Sequence, residues 1–159
     1  MLFERYAGAM MSICRRYASD GKEAEDMLQE TFIKIFSNLS QFKFQGSLEG
    51  WIKRIAVNAS LRILQNRKVR FLEIYEEHYV SQTVDPFAVS SLGEEDLLRL
   101  ISQLPDGYRT VFNLYALEGY SHEEIAEMLH IKPGSSRSQL SKARSILKDQ
   151  IVSRQKITP

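Results

Sequence analysis

The chain has 159 residues, of which 43% are hydrophobic and 26% charged, and its formal net charge is only +1. This composition is that of a soluble globular protein, long enough for one ordinary domain or two small ones, and it excludes a disordered chain. The single cysteine, Cys14, excludes an internal disulfide. The absence of a long apolar run and of a signal-peptide core predicts a cytoplasmic protein with no direct membrane insertion.

The first part of the chain shows the apolar spacing of three successive helices. We predict helices over about 1–17, from a cap at Ser19 or Asp20 to about 39, and over about 48–65 with Ser47 as the cap. The expected buried stripe of the second helix is Leu28, Phe32, Ile35, Phe36 and Leu39; that of the third is Ile52, Ile55, Ala56, Ala59 and Ile63. The three helices are expected to form one bundle over residues 1–68.

Helical periodicity fades after this bundle. Residues 69–93 contain Asp85-Pro86, several serines and an acidic patch, which predicts a flexible linker with a short helix near 71–79. A second domain is expected over residues 94–155. The predicted fold is therefore all-α, with two small helical domains joined by a linker.

The second domain begins with two predicted helices, one from about Glu94 to the break at Pro105 and one over about 108–117. Ser121 and Glu124 have the spacing of a capping box, which predicts a short helix that ends near residue 129. Pro133 suits the first turn of a longer helix that continues to about 150. A short helix, a tight turn and a longer basic helix predict a helix-turn-helix over about 121–148.

The longer helix of this motif has two different faces. Its apolar face is expected to comprise Leu140, Ala143, Leu147 and Ile151. The opposite face combines short hydroxyl groups with cations, which suit a close approach to a DNA groove. The candidate DNA-binding residues on this face are Ser135, Arg137, Ser138, Ser141, Lys142 and Ser145. An ordinary amphipathic helix shows a similar pattern, and the motif alone leaves that alternative open.

Basic residues are concentrated in two blocks. Residues 51–72 contain no acidic residue, and residues 128–159 contain a single one, Asp149, whereas acidic residues gather between the blocks. This distribution predicts two phosphate-facing surfaces, although two solvated helix faces would give the same pattern.

Four segments resemble the extracytoplasmic-function group of bacterial sigma factors, in that family's order. They are Ala24–Phe32 (AEDMLQETF), Trp51–Asn58 (WIKRIAVN), Leu104-Pro105 with Tyr108-Arg109, and Tyr120–Ala126, which reads YSHEEIA where the family reads YSYEEIA. The resemblance covers nearly the whole chain outside residues 70–93. It implies a promoter-specificity subunit of RNA polymerase, whose partners are core RNA polymerase, promoter DNA as duplex and opened strand, and an anti-sigma factor.

The resemblance also implies roles for particular residues of the first domain. Asp26, Gln29 and Glu30 share one helix face and would bind the polymerase clamp. The loop over residues 41–47 would hold a base of the opened non-template strand, with Phe42, Lys43 and Phe44 as its contacts. Phe42 and Phe44 would suit the protein core equally well. Arg54, Asn58 and Arg62 form a polar stripe that would touch the downstream promoter element, whereas Trp51 is expected to be structural.

The resemblance implies that the second domain binds the polymerase flap and, through its helix-turn-helix, the upstream promoter element. Two departures from the family's pattern stand out. The family usually carries a further helix before the segment that begins here at Met1, and Ser136 occupies a position that is usually apolar.

One alternative function is a stand-alone helix-turn-helix regulator that binds duplex operator DNA. It would leave the Ala24–Phe32 segment and the aromatic loop without a purpose, and the sequence shows no dimerisation element. An enzyme is not expected, because the sequence has no nucleophile–base arrangement, no phosphate-binding glycine loop and no metal-ligand cluster. No metal, cofactor or small-molecule substrate is therefore predicted.

Overall fold

The computed structural model describes residues 1–66 and 93–155, and the chain divides into two compact units, residues 1–69 and 70–159. Regular structure in the described ranges is entirely helical, which confirms the all-α prediction. The predicted linker, apart from Gly93, and its short helix at 71–79 lie outside the described residues. Within residues 1–66 and 93–155, no helix is both long and apolar enough to span a membrane.

The first unit contains three helices, α1 (Leu2–Tyr17), α2 (Gly21–Asn38) and α3 (Leu48–Asn66), with a short 3-10 turn over Leu39–Gln41. Asp20 rather than Ser19 caps α2, because its carboxylate accepts a hydrogen bond from the Glu23 amide at 2.8 Å. The Glu23 carboxylate accepts in turn from the Ser19 amide and hydroxyl, at 2.6 and 2.9 Å. Ser47 caps α3 as predicted, since its hydroxyl accepts from the Gly50 amide at 3.0 Å.

The core of the first unit lies where the three helices meet. Its largest fully buried side chains are Met10, Tyr17, Met27, Ile35, Ile52, Val57 and Leu64. The predicted stripe of α2 is wrong at Phe36 and Leu39, whose side chains are 55% and 39% exposed. The helix instead turns Ala24, Met27, Thr31 and Ile35 inward. Small residues at 24 and 31 allow α2 to approach α1 and α3 closely, and this rotates the two larger side chains toward solvent.

The predicted buried face of α3 is confirmed for Ile52, Ala56 and Ala59. Ile55 and Ile63 are only partly buried, whereas Val57, Ser60, Leu61 and Leu64 lie inside. Since α3 contacts both α1 and α2, its buried surface is wider than a single helical stripe.

The second unit contains α4 (Glu94–Ser102), α5 (Asp106–Phe112), a π-helical turn (Asn113–Leu117), α6 (His122–Leu129) and α7 (Pro133–Gln155). A cluster of Leu100, Ile101, Leu104, Ala143, Leu147 and Ile151 packs α4 against α7.

The helix predicted over 108–117 begins earlier in the structure, at Asp106, and its last residues form the wider π turn. Gly119, with φ of +80°, then reverses the chain, and the Tyr120 amide donates to the Leu114 carbonyl at 2.9 Å.

Arg109 explains why an arginine follows Leu104-Pro105 at this spacing, because its side chain connects the two helices on either side of the proline. Its side chain is only 6% exposed. The guanidinium donates to the Ser102 carbonyl at 2.9 Å and to the Asp106 carboxylate at 2.5 Å. It thereby satisfies a free carbonyl at the end of α4 and ties α4 to the start of α5 across Pro105.

Candidate nucleic-acid interface

The helix-turn-helix forms as predicted from α6, a short turn and α7. Both bonds of the capping box are present: the Ser121 hydroxyl accepts from the Glu124 amide at 3.1 Å, and the Glu124 carboxylate accepts from the Ser121 amide at 2.8 Å. His130 ends α6 in the left-handed conformation, with φ of 56°, and Pro133 opens α7. The turn therefore directs α7 across α6, against which it packs.

The apolar face of α7 is confirmed, since Leu140, Ala143, Leu147 and Ile151 are all buried. On the opposite face Arg137 is exposed, and Ser138, Ser141, Lys142 and Ser145 are partly exposed. These five side chains are therefore positioned to meet a ligand that approaches this face.

Ser135 does not belong to this outer face. Its side chain is buried, together with Ser136 and Gln139, and its predicted solvent exposure is wrong. The physical reason is that the first turn of α7 packs against the preceding elements of the motif, so residues that would be exposed later in the helix are covered here. The DNA contact predicted for Ser135 stays a prediction, and its burial leaves little of the side chain accessible to a ligand.

Arg144 is a basic residue of α7 that the prediction omitted. It is exposed, and its guanidinium carbon lies 5.7 Å from the centre of the Tyr115 ring. A helix places residues i, i+4 and i+7 on one face, and Arg137, Ser141 and Arg144 have this spacing. The sequence spacing alone could therefore have identified Arg144 as a candidate contact residue.

His122, the first residue of α6, makes a direct polar contact with α7, the recognition helix of the motif. Its Nδ1 lies 2.8 Å from the Ser136 hydroxyl. Its ring stacks on Tyr115, with ring centres 4.5 Å apart and planes inclined by 14°. Burial and the nearby Arg137 and Arg144 hold the pKa of His122 below its ordinary value, while Glu123 acts in the opposite direction.

An exposed ion pair joins Arg137 to Glu123 of α6, with 3.9 Å between the nitrogen and oxygen atoms. The two side chains are 58% and 73% exposed, so this pair contributes little to stability and leaves the arginine accessible to a stronger anion.

In the first unit, the loop before α3 forms an aromatic pocket. The Phe42 ring centre lies 5.0 Å from that of Phe44 and 5.4 Å from that of Trp51. Phe44 is 88% exposed, so the core alternative is wrong for this residue, while Phe42 is partly buried. An open cavity of about 400 Å³ beside these rings is lined by Gln41, Phe42, Lys43, Gln45, Gly46, Ser47, Gly50, Trp51 and Arg54. Aromatic faces and cations therefore border one space.

The polar stripe of α3 continues from this pocket. Arg54, Asn58 and Arg62 are all exposed, on the side of the helix opposite Ile52 and Ala56. Lys53 lies beside the stripe and pairs with Glu49 at 2.8 Å.

A separate polar surface lies on α2. Asp26 and Gln29 are exposed, and Glu30 is partly exposed and lies 3.7 Å from Lys34. This surface continues into Ile33 and Phe36, which are 58% and 55% exposed. The prediction did not include these two apolar residues in a binding surface, although Gln29, Ile33 and Phe36 have the i, i+4, i+7 spacing of a single face.

Comparison with known proteins places both units in one family. Residues 2–70 match the family described as Sigma-70 region 2, and residues 94–147 match Sigma-70, region 4. The match to region 2 explains the presence of the first unit. A stand-alone helix-turn-helix regulator would have no use for that unit.

Related proteins that align with most of this chain are consistent with this result. The chain is 31% identical over 154 residues to the ECF RNA polymerase sigma factor SigE of Mycolicibacterium smegmatis, covering 93% of this chain but only 59% of that relative. It is 28% identical to the ECF RNA polymerase sigma factor SigW of Bacillus subtilis, covering 92% and 84% of the two chains.

Among solved structures, the sigma factor RpoE of Bartonella quintana, crystallised with the anti-sigma factor NepR, aligns with a TM-score of 0.57 at 21% identity. The alignment covers 99% of this chain and 96% of that one, and it supports the same fold. With region 2 and region 4 in one chain and these relatives, the protein belongs to the extracytoplasmic-function sigma factors.

Proposed function

We propose that this protein acts in the cytoplasm, binds core RNA polymerase and directs it to specific promoters. The observation that carries this proposal is the presence of both sigma regions, in order, on one chain. Each unit then supplies one DNA-binding surface, and the polymerase sets the distance between them. A net charge of +1 fits this arrangement, because much of the affinity would come from the polymerase.

The polymerase-binding surface that we propose on the first unit is the exposed face of α2. Asp26, Gln29 and Glu30 supply hydrogen-bond acceptors and negative charge, which suit a basic partner surface. Ile33 and Phe36 extend this surface with exposed apolar area. Charged residues around an apolar contact are typical of a protein–protein interface.

For the downstream promoter element, we propose the aromatic pocket and the stripe of α3. A base that leaves the opened duplex can stack on Phe44 beside Phe42, with Lys43 and Arg54 near its phosphates. Stacking of this kind contributes about 1–3 kcal/mol per base. Arg54, Asn58 and Arg62 would follow the promoter backbone along the helix, because their spacing keeps them on one side.

For the upstream element, we propose that the exposed face of α7 enters the major groove of duplex DNA. Arg137 and Lys142 would contact phosphates or base edges, while the small side chains of Ser138, Ser141 and Ser145 permit a close approach. Arg144 joins this set because it shares the exposed face with Arg137.

An anti-sigma factor is the further partner that we propose. The solved structures similar to this chain include sigma factors bound to NepR and to the cytosolic domain of CnrY. By this proposal an inhibitor would compete with the polymerase for surfaces of the two units.

The experiment that tests the function is transcription in vitro with bacterial core RNA polymerase on a library of genomic fragments. We expect transcripts that start at a small set of promoters and depend on the added protein. Footprinting of the protein alone on the same fragments provides the comparison. Initiation at no specific site, combined with a footprint of the protein alone on duplex DNA, would instead identify a stand-alone regulator.

A further inference from the structure

Four side chains of the second unit, Tyr115, His122, Ser136 and Arg144, form what we call the His122 cluster. Tyr115 lies in the π turn, His122 begins α6, and the other two belong to α7. The imidazole is held on one side by the Tyr115 ring, with centres 4.5 Å apart, and at Nδ1 by the Ser136 hydroxyl at 2.8 Å. Arg144 lies over the Tyr115 ring at 5.7 Å. The cluster therefore connects the preceding elements to α7 at two points.

The hydrogen bond supplies a partner for a polar group in the interior of the second unit. Ser136 is fully buried, and its hydroxyl has the imidazole as a partner. A buried hydroxyl without a partner is unfavourable, so the contact with His122 stabilises Ser136 in its buried position.

We propose that His122 is a positioning residue for the recognition helix and that it couples binding of upstream DNA to the uptake of a proton. This inference rests on the proposed contact of α7 with duplex DNA. The hydrogen bond fixes Ser136, and Ser136 is adjacent to Arg137 on the first turn of α7. The position of the arginine on the DNA-facing side is therefore tied to the imidazole.

The charged groups that face His122 come from every element around it. Glu123 and Glu124 follow it on α6, Arg137 and Arg144 approach from α7, and the Tyr115 ring covers it from the π turn. Burial and the two arginines lower the pKa of His122 and so favour the neutral imidazole in the free protein.

Bound DNA would offset part of the electrostatic effect that the two arginines have on the pKa of His122. Phosphates that pair with Arg137 and Arg144 offset the two cations that disfavour the imidazolium. Binding therefore raises the pKa of His122, and by linkage the protein binds DNA more tightly as the pH falls through that range. A shift of one pKa unit on binding corresponds to a gain of about tenfold in affinity.

The test measures binding of the full chain to a labelled duplex that carries an upstream element found in the transcription experiment. Fluorescence anisotropy is recorded from about pH 8 to about pH 5.5 at constant ionic strength, the range in which histidine titrates. The wild-type protein should gain about threefold to tenfold in affinity toward acid pH. H122N should lose this gain, because asparagine offers polar atoms near the position of Nδ1 but does not titrate.

Two further variants separate the parts of the proposal. S136A removes the hydroxyl and should weaken binding about threefold at all pH values, with the acid gain retained. H130N is the matched control, since His130 is exposed and its left-handed conformation suits asparagine. It should keep both the affinity and the pH dependence of the wild type.

An NMR titration of the His122 imidazole, with and without the duplex, gives a measurement that needs no substitution. A higher pKa in the complex supports the coupling. An unchanged pKa, or a wild-type acid gain in folded H122N, overturns the coupling. Wild-type affinity in S136A overturns the positioning role. A free protein that binds no duplex at any pH overturns the coupling but not the proposed function, which transcription in vitro with core RNA polymerase tests separately.

Discussion

The two units differ in how many polar residues they bury. In the first unit the described interior is apolar except for Glu23, Thr31 and Ser60, while Phe44 and its neighbours present rings to solvent. In the second unit Arg109, Thr110, Asn113, Ser135, Ser136 and Gln139 are all buried. The exposed face of α7 in the same unit carries cations and short hydroxyl side chains.

This difference matches the two forms of DNA that the units are proposed to bind. An exposed ring on a bundle fixed by apolar packing suits an unpaired base, which binds by stacking. A helix that enters a groove must keep its orientation, and internal hydrogen bonds are directional enough to fix one. The second surface should therefore depend on its polar interior, whereas the first should depend on its exposed rings.

The largest effect should come from the polar interior of the second unit. R109A removes the buried guanidinium that binds the Ser102 carbonyl and the partly exposed Asp106 carboxylate, so we expect a loss of about 2 kcal/mol in the free energy of unfolding of this unit. Urea denaturation followed by circular dichroism measures it. K53A is the control, because it breaks an exposed pair with Glu49 and should cost less than about 1 kcal/mol. Equal losses in the two variants would remove the contrast between the units.

The exposed ring of the first unit provides the complementary experiment. F44A should leave the free energy of unfolding within about 0.5 kcal/mol of the wild type, because the side chain is 88% exposed. It should weaken formation of the open complex by about 1–3 kcal/mol, through loss of base stacking. Permanganate probing of opened promoter DNA reports this step. If F44A opens promoters as well as the wild type does, Phe44 is not a stacking residue.

The surface on α2 distinguishes protein binding from DNA binding within the first unit. The double variant D26A/Q29A should bind core polymerase about tenfold more weakly, because acceptors that face a basic partner are lost. A pull-down with core enzyme measures the affinity. E25A, another exposed acidic residue of α2, is the matched control and should bind normally. Wild-type affinity in D26A/Q29A would contradict the clamp assignment.

Arg137 tests the proposed duplex contact of the second unit. R137A should reduce use of the upstream element and, if the contact is to a phosphate, lower the slope of log affinity against log salt by about 1. Binding to core polymerase should stay at the wild-type level. An unaltered salt slope together with unaltered promoter use would exclude Arg137 from the contact set.

The smallest effect should be the pH dependence of folding in the second unit. Because the folded protein holds the pKa of His122 below its ordinary value of 6.5, the unfolded chain binds the proton more readily. The contribution of His122 to the free energy of unfolding is then fully present above about pH 6.5 and is lost as the pH falls through the lower folded-state pKa. Thermal melts of the wild type and H122N across this range measure the difference. If the Tm changes with pH by the same amount in the wild type and in H122N, the pKa of His122 is the same in the folded and the unfolded protein.

Sequence patterns determined a large part of this protein. Caps and breaks are local, so Ser47, Ser121 and Pro133 placed three helix starts correctly, while the choice between Ser19 and Asp20 for α2 needed the structure. The apolar face of α7 followed from periodicity alone. The family followed from four short segments in order, because each carries several specific side chains at fixed spacing.

Tertiary structure decided what periodicity leaves open, namely which way each helix is turned and what covers its ends. Phe36 has the spacing of a core residue yet faces solvent, because Ala24 and Thr31 allow closer packing on the other side of α2. Ser135 has the spacing of a surface residue yet is buried, because the first turn of α7 packs inside the motif. The bond between His122 and Ser136 joins residues 14 positions apart, and only the fold of the turn between them brings the two groups together.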